Sequence, residues 1–372
     1  MAAFFDVEPF TQSIYTSDFG KASTCPGSAK ARSPRAHLRL LLCDMIASKK
    51  ILVTGAAGFI GSHLVEALVV RGAQVTCLVR YNSASNLGNL EFLPLETRRE
   101  LTILLGNVED SDFVFKAIEG QEIVLHLAAL IAIPYSYAAP RSYFRTNAEG
   151  TLNVLEAARR VGIARVVHTS TSEVYGTALH TPIAEDHPLQ GQSPYSASKI
   201  AADKIAESYF CSFGTPVVTL RPFNTFGPRQ SARAFIPAIV SQALDCDAVQ
   251  LGSLSPLRDM TFVSDTVEGF IAGAETPGIE GETINLGTGE AYSIGDFAHR
   301  ILRIMGVKKP IVHDAARVRP TKSEVMTLVS NNAKARKLLS WTPRTELDEG
   351  LLSTIEFVDR NRHLYRPGFY SI

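Results

Sequence analysis

The sequence predicts an α/β fold with a doubly wound parallel sheet and a smaller C-terminal α/β lobe. Short apolar runs alternate with amphipathic stretches from residue 49 to residue 221. A glycine-rich turn joins the first run to the first amphipathic stretch, and the alternation weakens after Arg221. Such alternation is typical of parallel strands joined by crossover helices. We therefore expect one domain over 49–222 and a lobe over 223–372, with possible crossings of the chain back to the first domain.

The individual elements follow from hydrophobic periodicity. Apolar runs predict buried strands, and the stretches between them carry the apolar spacing of helices. A loop rich in Pro and Gly at 221–230 separates the two parts. The expected strands are 49–55, 73–79, 101–105, 122–127, 165–169, 216–221, 249–251 and 283–286. The expected helices are 59–72, 111–118, 142–161, 195–213, 234–245, 264–274, 293–305, 332–339 and 346–360.

The composition is that of a folded globular protein. Hydrophobic residues make up 45% of the 372 residues, and 37 basic side chains balance 37 acidic ones. Without a global basic field, nucleic-acid and membrane-surface partners are disfavoured. The five cysteines are odd in number and widely spaced, which argues against a disulfide framework and favours the cytoplasm. The apolar run at 122–133 is shorter than the roughly 20 residues that cross a bilayer.

Residues 1–48 show no clear periodicity and no pattern of a secretion signal. We expect a loose N-terminal extension here. The alternative is a misassigned start that belongs at Met45, just before the first strand.

Three glycines predict a dinucleotide site. Gly55, Gly58 and Gly61 stand between a strand and a helix. The first permits a tight turn, the second lets the backbone approach a pyrophosphate at the helix N-terminus, and the third allows close helix–strand packing. The pattern predicts a Rossmann-like dinucleotide-binding domain over 49–222, and the alternative is a purely structural turn.

The end of the second strand bears on the choice of cofactor. NAD-selective sheets usually carry an acidic residue there, whereas this strand ends in Arg80, which suits the 2′-phosphate of NADP. NADP is therefore slightly favoured over NAD, although a solvated surface arginine fits equally. Asn107, after the third strand, is expected to bond adenine or to form a turn.

A second constellation predicts proton transfer. Tyr195 and Lys199 are four residues apart, which places both on one face of a helix. A lysine ammonium beside a phenol favours the phenolate, so Lys199 can lower the pKa of Tyr195 and make it a general base. Thr171, at the end of a Ser/Thr-rich strand, is expected to share the hydrogen bond of the substrate hydroxyl.

The sequence resembles the extended short-chain dehydrogenases/reductases, and within them the nucleotide-sugar epimerase/dehydratase family. The resemblance covers about residues 49–345. It implies a nicotinamide cofactor that is tightly bound and recycled, a C-terminal lobe that grips a nucleoside-diphosphate sugar, and a homodimer paired through helices 110–120 and 142–161. The motifs that carry it are GAAGFIGSHL, HLAA, TNAEGTLNVLEAAR, TSEVYG, YSASK, RPFNTFGP and RDMTFVSD.

The resemblance also implies the residues of each subsite. Paired guanidinium groups are the expected grip on a pyrophosphate without a metal. The expected cofactor contacts are Gly55, Gly58, Phe59, Ile60, Gly61, Arg80, Asn107, Val108, Leu127, Ala128, Ala129, Tyr195 and Lys199. The expected substrate contacts are Asn147, Asn224, Arg233, Arg258 and Arg319.

Ser172 and Glu173 indicate the reaction. A 4,6-dehydratase must remove the C5 proton of the sugar and expel the C6 hydroxyl, which demands a proton acceptor besides Tyr195, and Glu173 fits that role. Some dehydratases carry an aspartate at the position of Ser172 and use it as the acid for the leaving hydroxyl. This chain has a serine there, as the GDP-mannose dehydratases do, so the acid for the leaving hydroxyl stays open. Sugar-nucleotide decarboxylases also carry Ser-Glu here, and epimerases need no such base.

The run from Thr169 to Lys199 is most similar to 4,6-dehydratases that act on a nucleoside-diphosphate N-acetylglucosamine. A UDP- or GDP-linked sugar is expected, but the sequence fixes neither base nor hexose. The alternatives are a 4-epimerase, a UDP-glucuronate decarboxylase and a non-catalytic cofactor-binding protein. No metal-ligand spacing and no nucleophile elbow occurs, so neither a metal site nor hydrolase chemistry is expected.

Overall fold

The fold is centred on a parallel sheet of seven strands in a computed structural model that describes residues 46–367. Their order across the sheet is β11-β6-β5-β4-β1-β2-β3. The strands are β1 (Lys50–Thr54), β2 (Gln74–Arg80), β3 (Thr102–Gly106), β4 (Ile123–His126), β5 (Arg165–Thr169), β6 (Val217–Pro222) and β11 (Thr283–Leu286). The predicted doubly wound sheet is confirmed. β11 is the strand by which the chain returns from the C-terminal lobe and pairs with β6.

Helices cover both faces of this sheet. One core lies under α1 and α9, and the other lies under α3, α6 and α7. The helices of the first part are α1 (Phe59–Val70), α2 (Leu95–Arg99), α3 (Ser111–Ile118), α4 (Ile133–Ala138), α5 (Pro140–Tyr143), α6 (Gly150–Val161) and α7 (Pro194–Phe213).

The helix expected over 142–161 is interrupted. α5 is followed by a π-helical segment, Phe144–Glu149, before α6 begins. Thr151 Oγ1 donates a hydrogen bond to the carbonyl of Asn147 at 2.6 Å, and the Asn147 side chain bonds Leu130. These side-chain bonds compete with the regular helical ladder, which accounts for the wider turn.

The C-terminal lobe packs around its own apolar core. Its two- and three-stranded sheets pair β7 with β10, β8 with β13, and β9 with β12 and β14. The strands are β7 (Asn224–Phe226), β8 (Val249–Leu251), β9 (Leu257–Arg258), β10 (Met260–Phe262), β12 (Tyr292–Ser293), β13 (Ile311–His313) and β14 (Thr327–Leu328). The helices are α8 (Phe235–Asp245), α9 (Val263–Glu275), α10 (Ile294–Met305), α11 (Ala333–Leu339) and α12 (Leu347–Arg360).

The expected N-terminal extension lies almost entirely outside the described residues. Within them, Ile46 is fully buried in the core beneath α1 and α9. No helix among residues 46–367 is long and apolar enough to span a membrane.

Candidate active site

The glycine turn lies at the carboxyl end of β1, where the strand order reverses between β1 and β4. Gly55 has φ +70°, and a Cβ on Gly61 would lie 2.2 Å from the Gly55 carbonyl oxygen. Gly58 precedes α1, and no side chain caps that helix. The turn therefore presents bare backbone at a helix N-terminus, which fits an anionic pyrophosphate.

The other expected cofactor residues lie along the same edge of the sheet. A Cβ on Gly55 would lie 2.8 Å from the backbone of Leu127 and Ala128, so these segments are in close contact. Arg80 and Asn107 are exposed at the ends of β2 and β3. Phe59, Ile60 and Ala129 are half-buried, and Val108 is buried.

Tyr195 and Lys199 are held by the start of α7. Ser193 caps the helix by accepting the Ser196 N–H at 3.1 Å, and Pro194 occupies the first turn. Tyr195 is therefore in the first turn, and Lys199 follows one turn later. Both are buried, and Lys199 Nζ donates to the Thr169 carbonyl at the end of β5 at 2.5 Å.

The phenol of Tyr195 lies in an apolar and aromatic setting. Its ring packs edge-on against Tyr143 with centroids 6.2 Å apart, and Leu130 packs against both. Burial raises the pKa of Tyr195 well above its ordinary value, whereas a hydrogen bond with Thr171 lowers it. The lowering of this pKa that the sequence led us to expect is therefore outweighed by burial. Burial in turn lowers the pKa of Lys199 to about 8.

Glu173 lies in a 3₁₀ turn, Ser172–Tyr175, that Thr171 caps. The Thr171 hydroxyl accepts the Glu173 N–H at 3.2 Å. The Glu173 carboxylate is close enough to raise the pKa of both Tyr195 and Arg258. Ser172 beside it is buried. The turn thus brings a carboxylate between the phenol and a guanidinium of the other lobe.

Arg258 and Arg319 converge on one carboxylate that sequence reasoning missed. Arg258 Nη2 lies 3.2 Å, and Arg319 Nη1 3.7 Å, from Glu324 Oε1. Burial lowers the pKa of Arg258, and the neighbouring Arg319 lowers it further. One signal in the sequence could have indicated Glu324: it lies in the same proline-containing loop as Arg319. The result is a cationic pair whose charge Glu324 only partly offsets.

The remaining expected substrate residues differ in their settings. Asn224 Oδ1 is buried without a hydrogen-bond partner, and Arg233 is exposed but close enough to lower the pKa of Tyr143. Asn147 is fully buried, and its amide bonds the backbone of Leu130 and the hydroxyl of Ser198. Asn147 therefore lies behind the site, with its polar atoms already engaged by the protein.

A row of polar side chains crosses the sheet beneath this site. Parallel register aligns Thr54, His126 and His168 on β1, β4 and β5. His126 Nδ1 hydrogen-bonds Thr54 Oγ1 at 2.8 Å, and the two imidazole rings stack with centroids 6.0 Å apart. Burial lowers the pKa of both histidines, so the row is neutral at physiological pH. Within residues 46–367, no group of side chains could hold a metal ion.

Comparison with known proteins identifies the family. The family model described as GDP-mannose 4,6 dehydratase matches residues 52–354. A UDP-glucose 4-epimerase of Mycolicibacterium smegmatis is 34% identical and covers 83% of this chain and 98% of its own. A dTDP-glucose 4,6-dehydratase of Streptomyces antibioticus is also 34% identical, covering 85% and 94% respectively.

A solved structure supports the fold and the cofactor class. The dTDP-glucose 4,6-dehydratase of Streptomyces venezuelae, crystallised with NAD bound, superimposes with a TM-score of 0.76 at 28% identity, covering 85% of this chain and 98% of that one. With the glycine turn, the buried Tyr-Lys pair and a family match over most of its length, this chain belongs to the NAD-dependent epimerase/dehydratase family of enzymes that act on nucleotide sugars.

Proposed function

We propose that this protein is a nucleotide-sugar 4,6-dehydratase that forms a 4-keto-6-deoxyhexose nucleotide. The observation that carries the proposal is the position of Glu173. Glu173 lies in the turn capped by Thr171, and its carboxylate acts electrostatically on the phenol of Tyr195 and on the guanidinium of Arg258. This supports a place for it beside the reacting sugar. Oxidation and reduction at C4 alone require no such base.

The protein side chains divide the proton transfers. Tyr195, hydrogen-bonded to Thr171, takes the proton of the C4 hydroxyl. Glu173 removes the C5 proton, which the C4 ketone has made acidic. Once protonated, Glu173 can donate that proton to the departing C6 hydroxyl. Ser172, next to it in the chain, is buried. The two protons taken are returned to the water and to C5, so the reaction consumes none.

The cofactor supplies what no side chain can. A bound oxidised nicotinamide would supply the hydride acceptor for C4 and the hydride donor for C6. The glycine turn and the Leu127–Ala129 segment would hold it. Exposed Arg80 at the end of β2 slightly favours NADP over NAD.

The substrate diphosphate is assigned to the C-terminal lobe. Arg258 and Arg319 would grip it as a cationic pair. Arg233, which is close to Tyr143, is proposed to add to them. The unpartnered Asn224 Oδ1 would accept a hydrogen bond from a ligand. Asn147 would orient the site from behind. A boundary near residue 222 between a cofactor domain and a substrate lobe is part of this proposal.

The substrate proposed is UDP- or GDP-N-acetylglucosamine. Support comes from the run between Thr169 and Lys199, which is most similar to 4,6-dehydratases of that substrate class. A cytoplasmic homodimer, paired through α3 and α6, completes the proposal.

A 4-epimerase is the second candidate. Two observations favour it: a relative described as a UDP-glucose 4-epimerase is 34% identical, and Ser172 replaces the aspartate that some dehydratases use as an acid. Both reactions begin with Tyr195 taking the C4 hydroxyl proton.

Product mass separates the candidates. The purified protein is incubated with UDP-, GDP-, dTDP- and CDP-linked sugars without added cofactor, and products are identified by mass spectrometry. Loss of one water is expected, with the highest kcat/KM for an N-acetylglucosamine nucleotide. Cofactor released by denaturation is identified in the same way, and NADP is expected.

The other outcomes contradict the proposal in distinct ways. An unchanged mass with altered chromatographic retention would identify an epimerase, and loss of carbon dioxide a decarboxylase. Cofactor binding without turnover of any sugar would indicate a non-catalytic protein.

A further inference from the structure

A buried carboxylate outside the proposed reaction lies one helical turn after Lys199. Asp203, on α7, is 5% exposed. Its Oδ2 accepts hydrogen bonds from Ser170 Oγ at 2.7 Å and from Arg221 Nε and Nη2 at 3.2 and 3.0 Å. Its Oδ1 lies 3.1 Å from His168 Nε2. Burying a carboxylate is costly unless it is fully paired, so this arrangement holds Asp203 rigidly.

The bond from this carboxylate to Ser170 fixes the end of β5 at the catalytic groups. Ser170 lies between two residues that touch those groups. The carbonyl of Thr169 accepts a hydrogen bond from the ammonium of Lys199 at 2.5 Å, and the hydroxyl of Thr171 forms a hydrogen bond with Tyr195. A shift of Ser170 would therefore displace the Thr169 carbonyl on one side and the Thr171 hydroxyl on the other.

We propose that Asp203 is a positioning residue for C4 oxidation: its buried negative charge stands one helical turn after Lys199, and its bond to Ser170 fixes the backbone that holds Lys199 and Thr171. This inference rests on the proposed roles of Tyr195 and Lys199.

The surrounding charges make Asp203 the relevant anion. His126 and His168 face Lys199 from β4 and β5, and burial lowers the pKa of both, so they are neutral and add no second positive charge beside the ammonium. Arg221 faces Asp203 from β6, and Glu173 faces Tyr195 from its 3₁₀ turn. A cleft of about 500 Å³ behind Asp203 is lined by the further titratable groups Glu185, Asp186, His187, Lys204 and Glu207.

Removing the charge of Asp203 should shift the pH dependence of the reaction in a definite direction. The charge of Asp203 raises the pKa of Lys199 against the lowering by burial, and it also raises the pKa of Tyr195. Removing the charge therefore lowers both. The limbs of a pH–rate profile report the pKa values of the two groups that act together in C4 oxidation, here Tyr195 and Lys199. Both limbs should move to lower pH.

The test compares Asp203→Asn with the wild-type full-length enzyme in a profile of kcat/KM against pH. Both limbs are expected to shift down by about one pH unit, the size of a near charge effect. Tyr175→Phe is the matched control. It removes outer hydrogen bonds of the same network, from Arg221 at 3.0 Å and to Asn285 at 2.7 Å, without changing a charge, so its limbs should stay in place.

A uniform fall in rate with unmoved limbs in Asp203→Asn would overturn the proposal, because it would leave Asp203 with a merely structural role. If Asp203→Asn does not fold, the double variant Asp203→Asn/Arg221→Gln removes both charges of the buried pair together. Its limbs should move in the same direction, because Asp203 is the group that raises the pKa of Lys199. Unmoved limbs in the double variant would also overturn the proposal.

A failure of the proposed function can be distinguished from a failure of the Asp203 proposal. Dehydration, epimerisation and decarboxylation all begin with oxidation at C4, so the profile is measured on whichever reaction the wild-type enzyme catalyses. If the enzyme proves not to be a dehydratase, the Asp203 test can therefore still be carried out. Retained turnover in Tyr195→Phe, or no turnover of any sugar by the wild-type protein, would overturn the roles on which the inference rests and the inference with them.

Discussion

Glu173 is the residue on which the choice between dehydration and simple epimerisation depends. Its side chain is half-buried between Tyr195 and Arg258, and nothing about that position is needed for hydride exchange at C4. Replacing it with glutamine keeps the size of the side chain and removes its ability to accept a proton.

Glu173→Gln should therefore oxidise C4 and stop there. Formation of the 6-deoxy product is expected to fall by roughly 10²–10⁴-fold, the usual contribution of a positioned general base. Absorbance of the reduced cofactor reports the first half of the reaction, and product mass reports the second. Glu282→Gln, at a half-buried glutamate ion-paired with Lys334 outside the site, is the control and should leave both unchanged. Near-normal water loss in Glu173→Gln would mean that another group is the base.

The sequence allows prediction of residues whose partners are close in the chain. Tyr195 and Lys199 share a helix face, and the three glycines share one turn, so spacing alone indicates them. Asp203 has the same helical spacing from Lys199, and that signal was available. Its ion pair with Arg221, and that of Arg258 with Glu324, join residues on different elements, so no local pattern announces them. The high pKa of Tyr195 likewise depends on burial by distant segments, which spacing cannot report.

At the scale of elements, the glycine turn is the tightest constraint on the cofactor edge. A Cβ on Gly61 would lie 2.2 Å from the Gly55 carbonyl oxygen and 3.0 Å from the Ala56 Cα, both backbone atoms that cannot rotate away. A Cβ on Gly58 would lie 3.1 Å from the same carbonyl oxygen, which a small shift relieves.

Gly61→Ala is therefore expected to lower the stability of the protein by roughly 1–3 kcal/mol, as overpacking does, and to abolish retention of the cofactor through purification. Thermal unfolding and the cofactor released on denaturation measure the two effects. Gly295→Ala in α10 is the matched control, because a Cβ there would meet no atom closer than 3.6 Å. A Gly61→Ala protein with wild-type stability and full cofactor content would contradict the role of this turn.

Longer elements were more predictable than shorter ones. The strands of the main sheet and the long helices α1 and α7 have enough residues to show a pattern. Among the short strands, β8 was predicted at 249–251, but β7 and β10 were not. β7 lies inside what reads as a Pro/Gly loop and pairs with β10, and a strand of three residues has too little periodicity to detect reliably. The interruption between α5 and α6 escaped prediction because side-chain bonds of Thr151 and Asn147 produce it.

At the scale of the molecule, the two parts of the chain are joined around the site. Tyr137 of α4 hydrogen-bonds Ser323 of the C-terminal lobe at 2.6 Å. On the cofactor side, Arg229 pairs with Glu66 of α1 at 2.7 Å, and its carbonyl accepts the Asn89 amide. These contacts cross from the main sheet to the lobe on both sides of the glycine turn and the Tyr-Lys pair. Such links are consistent with a cofactor that stays bound through the reaction.

The last prediction concerns assembly. Leu152 is 39% exposed on α6, the helix that packs against α3, and the proposed homodimer would bury this face against its copy. In a two-fold interface each substitution appears twice, so Leu152→Glu places two carboxylates in the same patch. The dissociation constant of the dimer is expected to rise at least about tenfold, equivalent to about 1.4 kcal/mol. Light scattering over a concentration series measures it. Leu352→Glu, at a leucine 47% exposed on α12, should leave the dimer intact. A wild-type monomer, or a Leu152→Glu dimer of unchanged affinity, would show that this face does not pair the subunits.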